Sequence, residues 1–176
     1  MRLRRVFLFR ALRKNARSLT FVFDLDGVLT DGTFWYGKEG KVLKRFGPHD
    51  AEALLVLRKY FEVKIISADV RGEEISVRRI SDIGLNLEIV SAENRASFIH
   101  NLKMKKRKVV FVGDSLSDIP ALEMADFAFC PKDAFLSVHE KVDLTLCTEG
   151  GRGVVAEMLM IIKYALRGEK GFESLE

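Results

Sequence analysis

Short runs of β-branched and aromatic residues alternate along this chain with stretches of helical periodicity, and this alternation restricts the possible folds strongly. The predicted strands are Leu19–Phe23, Val63–Ser67, Leu87–Val90, Lys108–Val112, Phe127–Phe129 and Leu144–Leu146. The predicted helices are Asp50–Phe61, Arg71–Ile83, Asn94–Met104, Ser117–Met124, Ala134–His139 and Val154–Leu166. Such alternation is typical of a parallel sheet with helices on its faces. The sequence therefore predicts an α/β fold of three layers.

Length and composition predict a soluble globular protein. The 176 residues fit one domain, and no linker, repeat or low-complexity tract divides them, so residues 1–176 are expected to form one domain. Apolar residues make up 48% and charged residues 31%, and no apolar run is long enough to cross a membrane. Cys130 and Cys147 lack metal-ligand spacing and lie in apolar stretches. Buried free thiols, and hence a reducing cytoplasm, are expected.

The formal charge of +4 is concentrated at the start of the chain, in Arg2, Arg4, Arg5, Arg10, Arg13, Lys14 and Arg17. A targeting signal is one interpretation, but the apolar stretch Val6–Phe9 is shorter than the about 7 to 15 residues of a secretory segment. A nucleic-acid arm would need further basic stripes, which the sequence lacks. We expect residues 1–18 to form a basic helix or arm packed on the domain, with no nucleic-acid or membrane partner. The apolar positions at helical spacing are Leu3, Val6, Phe7 and Ala11.

One segment interrupts the alternation of strands and helices. Thr33–Tyr36 and Lys41–Phe46 read as two strands, and Gly37–Gly40 between them has the glycines and polar centre of a hairpin turn. A β-hairpin over residues 33–46 is therefore predicted directly after the first strand.

Carboxylates follow the ends of the predicted strands. Asp24 and Asp26 end the first strand two residues apart, so in extended geometry both side chains point the same way. Asp114 and Asp118 follow a later strand at a separation of about one helical turn. Since ligands of open parallel sheets bind beyond the carboxyl ends of the strands, we expect three or four of these side chains to converge.

Clustered carboxylates predict a bound hard cation or a proton shared between two acids. Mg²⁺ fits better than Zn²⁺, because His49, His100 and His139 are scattered along the chain. Beside Mg²⁺ an aspartate can act as a nucleophile on phosphorus, and Asp26 is the candidate general acid. Taken alone, Asp-x-Asp-Gly is also compatible with a plain turn or a calcium loop.

At this point the sequence resembles the haloacid dehalogenase superfamily, from about Leu19 to Leu166. Residues 23–32, Phe-Asp-Leu-Asp-Gly-Val-Leu-Thr-Asp-Gly, are similar to the first motif of its capless branch, which contains the 3-deoxy-D-manno-octulosonate 8-phosphate phosphatases. Residues 149–157, Glu-Gly-Gly-Arg-Gly-Val-Val-Ala-Glu, are similar to the carboxyl-terminal motif of that branch. The resemblance implies a Rossmann-like three-layer sandwich with a hairpin flap and no cap domain.

The resemblance also implies roles for individual residues. Asp24 would be the nucleophile, Asp26 the general acid and base, and Ser67 the hydroxyl that holds the phosphoryl group. Asp114 would ligate Mg²⁺ together with the Asp24 carboxylate and the Asp26 carbonyl oxygen, and Asp118 would orient metal-bound water.

The sequence departs from the family pattern at several positions. Arg95 stands where the family has a lysine, and arginine also neutralises phosphate and carboxylate charge. The stretches 68–72 and 46–50 differ from the usual Thr-Gly-Arg and Phe-Asn-Val-Arg-Asp. The residues expected to contact substrate are Thr30, His49, Arg71 and Arg152. The alternatives are an exposed helix arginine for Arg95, a helix-start histidine without a ligand for His49 and a plain helix-start loop for Arg152.

These features predict a Mg²⁺-dependent phosphatase acting on a phosphorylated sugar acid, an octulosonate 8-phosphate or a nonulosonate 9-phosphate, in synthesis of a lipopolysaccharide or other surface polysaccharide. The resemblance implies a homotetramer in which the hairpin helps to cover the site. Two alternatives are a non-catalytic assembly domain, like the module fused to acylneuraminate cytidylyltransferases, and a phosphotransferase acting on another sugar phosphate.

Overall fold

A computed structural model describes residues 2–172 and Leu175, with side chains from Val6 onward. In chain order the strands are β1 (Leu19–Asp24), β2 (Thr30–Gly37), β3 (Gly40–Phe46), β4 (Glu62–Ser67), β5 (Leu87–Ile89), β6 (Lys108–Val112), β7 (Phe127–Cys130) and β8 (Leu144–Thr145). The α-helices are α1 (Arg2–Lys14), α2 (His49–Leu57), α3 (Glu73–Asp82), α4 (Arg95–Met104), α5 (Ile119–Met124) and α6 (Val154–Leu166).

Six of the strands form one parallel sheet in the order β5-β4-β1-β6-β7-β8. The predicted α/β fold with a central parallel sheet is confirmed. β1 lies between β4 and β6, so the strand order reverses direction beside it. This is the position at which open parallel sheets place their ligand sites.

Alternate residues of the central strands fill two separate apolar layers. In β1, Phe21 and Phe23 join the layer formed with α1, α2 and α6, whereas Val22 faces the layer formed with α4 and α5. Val110 and Phe111 of β6 divide in the same way. Because successive side chains of a strand point to opposite faces, an all-apolar strand requires this double cover.

The hairpin is the only antiparallel pair in the described part of the chain. β2 and β3 form a separate two-stranded ladder joined at Gly37 and Gly40, with register shifts near Tyr36. Trp35 and Leu43 are paired across it and are 52% and 59% exposed. The predicted hairpin is thus present, and it begins three residues earlier than predicted, at Thr30.

The ends of the six strands of the parallel sheet agree with the prediction to within one residue, whereas several predicted helices have other bounds or another helix type. α2 ends at Leu57, not Phe61, where the Lys59 and Tyr60 amides donate to the carbonyls of Val56 and Leu57, three residues back, in a tighter turn. α3 begins at Glu73, after a 3₁₀ turn. The predicted helix from Ala134 is a 3₁₀ segment, Leu136–Glu140, since the Phe135 amide donates to Asp114 O and Phe135 is extended.

The N-terminal helix is present but buries a different face from the predicted one. Leu8 and Leu12 are buried, whereas Val6 and Phe7 are exposed, and α1 packs against α6. Met1 and the Leu3 side chain lie outside the described residues. None of the helices in the described part of the chain combines the length and apolar content of a bilayer crossing.

Both cysteines are free, but only one is buried. Cys130 lies in the core, whereas Cys147 is exposed, contrary to the prediction. Cys147 follows β8 in a loop where its amide donates to the Glu157 carboxylate, which fixes the backbone and leaves the thiol outside.

Asp50 joins α2 to the start of α6. Its carboxylate is 3% exposed and accepts hydrogen bonds from the amides of Gly153 (3.1 Å) and Val155 (2.7 Å). The first amides of a helix have no partner within the helix, so a carboxylate from outside satisfies them. This contact fixes the loop before α6, which returns to the active-site end of the sheet.

Replacing Asp50 with alanine should destabilise the protein, because two buried amides lose their acceptor. We expect Asp50→Ala to lower the free energy of unfolding by about 1–3 kcal/mol in urea titrations. Glu52→Ala, an exposed position of the same helix, is the control and should leave it unchanged. Equal losses in both variants would contradict the bridging role of Asp50.

Candidate active site

Three carboxylates meet where the carboxyl ends of β1 and β6 lie side by side. Asp24 ends β1, Asp114 follows β6, and Asp118 lies in the 3₁₀ turn before α5. Each offers an oxygen within 4.8 Å of the others. The predicted convergence is therefore present for these three side chains.

Arg95 supplies the positive charge of this cluster. It is the first residue of α4 and is 4% exposed. Its Nη2 donates to Asp24 Oδ1 at 2.9 Å, and its Nη1 donates to Asp118 Oδ1. Arg95 Nε is buried without a hydrogen-bond partner. The position where the sequence departs from the family lysine thus places a cation against the predicted nucleophile.

Asp118 and Asp114 differ in how fully their oxygens are engaged. Asp118 Oδ2 accepts hydrogen bonds from the amides of Asp114 and Ser115 and from the Ser115 hydroxyl. Asp114 Oδ1, in contrast, is buried without a partner. Asp118 is held rigidly by its own turn, and Asp114 retains an unsatisfied buried oxygen.

Burial and mutual repulsion disturb the titration of the cluster. Burial and then the Asp118 carboxylate raise the pKa of Asp24 well above its ordinary value, while Arg95 opposes the rise. Burial and then Asp118 raise the pKa of Asp114 to about 7. The positive charge of Arg95 is therefore not enough to offset the effects of burial and repulsion on the pKa of Asp24 and Asp114.

A hard divalent cation fits this donor set. All three donors are carboxylates, the ligands that Mg²⁺ prefers, and the orphaned Asp114 Oδ1 is a ready ligand. A bound cation would also reverse the pKa shifts of Asp24 and Asp114.

Asp26 lies outside the cluster and points toward the hairpin. Its carboxylate accepts a hydrogen bond from the Ser67 hydroxyl at 3.3 Å and pairs with Lys44 of β3. Ser67 Oγ in turn accepts from the Asp69 amide at 3.0 Å. The structure thus brings Asp26 and Ser67 together. Asp26 is close to Asp24 in the chain, but it pairs with Lys44, whereas Asp24 pairs with Arg95.

Sequence reasoning missed Lys44 and Asp69. The Lys44 side chain is fully buried and contacts both Asp26 and Asp69, and Lys41 also pairs with Asp69, at 2.7 Å. One signal was available: Lys44 and Phe46 alternate on the same face of β3, and Phe46 packs against the core.

Thr30 and Arg71 lie in different surroundings. Thr30 is fully buried, and its hydroxyl accepts from the amides of Gly27 (3.1 Å) and Gly32 (3.2 Å) in the turn after β1. Arg71 is exposed and reaches the Tyr36 hydroxyl of the hairpin at 3.4 Å.

His49 and Arg152 meet in a separate open pocket of about 290 Å³, which Asp31 and Arg45 also line. The pocket adjoins the turn after β1, because Gly150 and Gly151 pack on that turn. A side chain at Gly150 would begin 2.2 Å from the Gly27 carbonyl oxygen. Gly151 has φ +65°, a conformation that favours glycine. Close packing at Gly150 and backbone conformation at Gly151 therefore both require glycine in this loop.

Comparison with known proteins places these features in a family. No family model matches the chain. It is 29% identical over 171 residues to the 3-deoxy-D-manno-octulosonate 8-phosphate phosphatase KdsC of Haemophilus influenzae, covering 94% of both chains. The solved cobalt-bound form of the phosphatase from that organism has a TM-score of 0.77 at 28% identity, covering 88% of this chain and 91% of that one. These similarities support membership of the haloacid dehalogenase superfamily.

Within this superfamily, the chain is similar to octulosonate phosphatases. It is 28% identical over 160 residues to KdsC of Escherichia coli K12, covering 88% of this chain and 83% of the relative. A Moraxella catarrhalis 3-deoxy-D-manno-octulosonate 8-phosphate phosphatase, solved with magnesium, phosphate and KDO, shares the fold with a TM-score of 0.76 at 23% identity, covering 89% and 92%.

Removing the Arg95 charge should destabilise the folded protein at this carboxylate cluster. Arg95→Met leaves Asp24 and Asp118 buried without a counter-ion, and we expect a loss of about 3–5 kcal/mol in metal-free buffer, measured by denaturant unfolding. Arg78→Met, which breaks an exposed pair with Asp82, should have no measurable effect. A loss no greater than that of the Arg78 variant would contradict the role assigned to Arg95.

Proposed function

We propose that this protein hydrolyses the phosphate monoester of an acidic sugar in a Mg²⁺-dependent reaction through an aspartyl-phosphate on Asp24. At the level of reaction class it is a phosphoric monoester hydrolase of the haloacid dehalogenase type. The observation that carries the proposal is the buried Asp24 carboxylate, which lies against Arg95 and, with Asp114 and Asp118, offers oxygens close enough together to hold a cation.

The metal would be held by the carboxylates of Asp24 and Asp114 and by the Asp26 carbonyl oxygen, with Asp118 orienting its water ligands. When bound, Mg²⁺ supplies charge that neutralises the phosphoryl oxygens and the clustered carboxylates.

In the first step an Asp24 oxygen forms a bond to phosphorus as the bond from phosphorus to the sugar oxygen breaks. Asp26 gives its proton to the departing oxygen, so the sugar leaves as a neutral alcohol. In the second step water attacks phosphorus, its proton passes to Asp26, and the bond from phosphorus to Asp24 breaks. Inorganic phosphate leaves, and both aspartates return to their starting states.

Ser67 and Arg95 hold the reacting groups from two sides. The Ser67 hydroxyl lies at the end of β4, beside Asp26, and would hydrogen-bond the transferring phosphoryl group. Arg95 donates to Asp24 and stabilises it as a carboxylate, the form that attacks.

Loss of the nucleophile is the direct test of this proposal. We expect wild-type protein in Mg²⁺ to release inorganic phosphate from 3-deoxy-D-manno-octulosonate 8-phosphate or a nonulosonate 9-phosphate. Asp24→Asn should lower kcat by at least about a thousandfold, because the amide is not a nucleophile.

The control is Asp126→Asn, an aspartate that binds the Val109 amide and Lys108 away from the cluster. It should keep full activity. Absence of phosphate release by wild-type protein from every phosphorylated sugar acid tried would refute the proposed function.

We further propose that the pocket around His49 and Arg152 receives the acid group of the sugar. Arg45 and Arg152 both approach it, and Asp31 is already paired with Arg45 at 3.5 Å. The pocket adjoins the turn that carries Asp24 and Asp26, so one substrate can present its phosphate and its carboxylate to neighbouring sites.

Arg152→Met should therefore weaken binding of acidic substrates selectively. We expect KM for the phosphorylated sugar acid to rise roughly tenfold, because one charged hydrogen bond is lost, while KM for a neutral hexose 6-phosphate stays the same. Arg10→Met on α1 is the matched control in steady-state kinetics. A parallel rise for both substrates would contradict recognition of the acid group by this pocket.

A homotetramer in the cytoplasm is the proposed state of the protein. The exposed apolar side chains of the hairpin support assembly, since a patch of this kind on a small protein usually marks an interface; they are Phe34, Trp35, Tyr36, Val42 and Leu43. The free thiols Cys130 and Cys147 suit a reducing compartment. There the protein would act in synthesis of a surface polysaccharide precursor such as lipopolysaccharide.

A further inference from the structure

Lys44 connects the hairpin to the proposed general acid. Its Nζ lies 2.9 Å from both Asp26 oxygens, and its side chain has no solvent exposure. It also lies 2.8 Å from Asp69 Oδ2 and donates to Ser76 Oγ at 2.9 Å. A fully buried lysine with four polar contacts is held in one place.

Two contacts of Lys44, with Ser76 and Asp69, hold the ammonium in place, and the third, with Asp26, transmits this fixed position to the proposed general acid. Ser76 is buried in α3, and its hydroxyl donates to the Gly72 carbonyl at 3.0 Å, so the anchor is rigid. Asp69 is bound by a second cation, Lys41. Asp26, in contrast, keeps 31% of its side chain exposed.

Because the Lys44 ammonium is enclosed, it cannot touch a substrate in this arrangement, whereas Asp26 can. Any effect of Lys44 on the reaction must pass through Asp26. An ammonium equidistant from both carboxylate oxygens fixes the plane of the carboxyl group as well as its position, and charge-assisted contacts are the strong ones.

We propose that Lys44 is a positioning residue, which orients the Asp26 carboxyl group for proton transfer to the departing sugar oxygen. This inference rests on the proposed function, in which Asp26 is the general acid. It makes the hairpin part of the catalytic apparatus of the same chain. A proton donor that is free to rotate loses the alignment on which general acid catalysis depends.

Leaving-group dependence separates this role from a structural one. A sugar alkoxide needs a proton as it leaves, whereas p-nitrophenolate leaves readily without one. The ratio kcat/KM covers only the steps up to loss of the leaving group, so the later use of Asp26 with water does not enter it.

The experiment compares kcat/KM for the phosphorylated sugar acid and for p-nitrophenyl phosphate in Lys44→Met, with Mg²⁺ present. We expect a loss of about 100-fold for the sugar phosphate and of no more than about threefold for the aryl phosphate. The control is Lys41→Met on the same strand, which pairs with Asp69 without touching Asp26. It should leave the ratio of the two values unchanged.

Ser76→Ala keeps every charge and removes one anchor of the ammonium, so it tests the idea even if Lys44→Met fails to fold. We expect a several-fold loss confined to the sugar phosphate. Equal losses for both esters in the folded variants, or a selective loss in Lys41→Met as well, would overturn the positioning role. Wild-type protein inactive on both esters would refute the proposed function instead.

Discussion

The ion pairs of Arg95 are the interaction on which the active site depends. Three carboxylates come within a few ångströms of one another because the ends of β1 and β6 are adjacent, and buried like charges repel strongly. The guanidinium has donors in a fixed fork, so it can bind Asp24 and Asp118 simultaneously. A lysine ammonium is a point charge without such a fork, so its hydrogen bonds to the two carboxylates would have a different geometry. The departure from the family residue therefore keeps the charge and changes its geometry.

Neutralisation by Arg95 is incomplete, and this would favour the binding of a cation at the site. Asp118 is saturated by its own turn and by Arg95, whereas Asp114 keeps a buried oxygen without a partner. The division of labour between the two aspartates follows from backbone geometry, since Asp118 closes a 3₁₀ turn and Asp114 precedes it. A rigid carboxylate beside an unsatisfied one is an arrangement that selects a hard metal ion over a further side chain.

Local patterns allowed the sheet and the carboxylate cluster to be predicted, and long-range contacts account for what was missed. Apolar strands followed by aspartates predict the position of Asp24 and Asp114, because parallel strands end at one edge. The alternation along β3 places Lys44 on the face of Phe46, but the contact of Lys44 with Asp26 depends on how the hairpin is rotated relative to the sheet, which periodicity does not encode. The prediction of the buried face of α1 was wrong. Phe7 and Leu8 are both apolar, and only the position of α6 decides which of them is buried.

The close packing of Gly150 on the turn after β1 has a consequence for how the protein is made. The turn that carries Asp24 and Asp26 leaves the ribosome early, but the loop that supports it comes more than a hundred residues later. Contacts between such distant segments form slowly, because a long loop must close first. During synthesis the turn with Asp24 and Asp26 therefore remains without this support until the loop around Gly150 has emerged, and a product that ends before Gly150 would lack the support altogether.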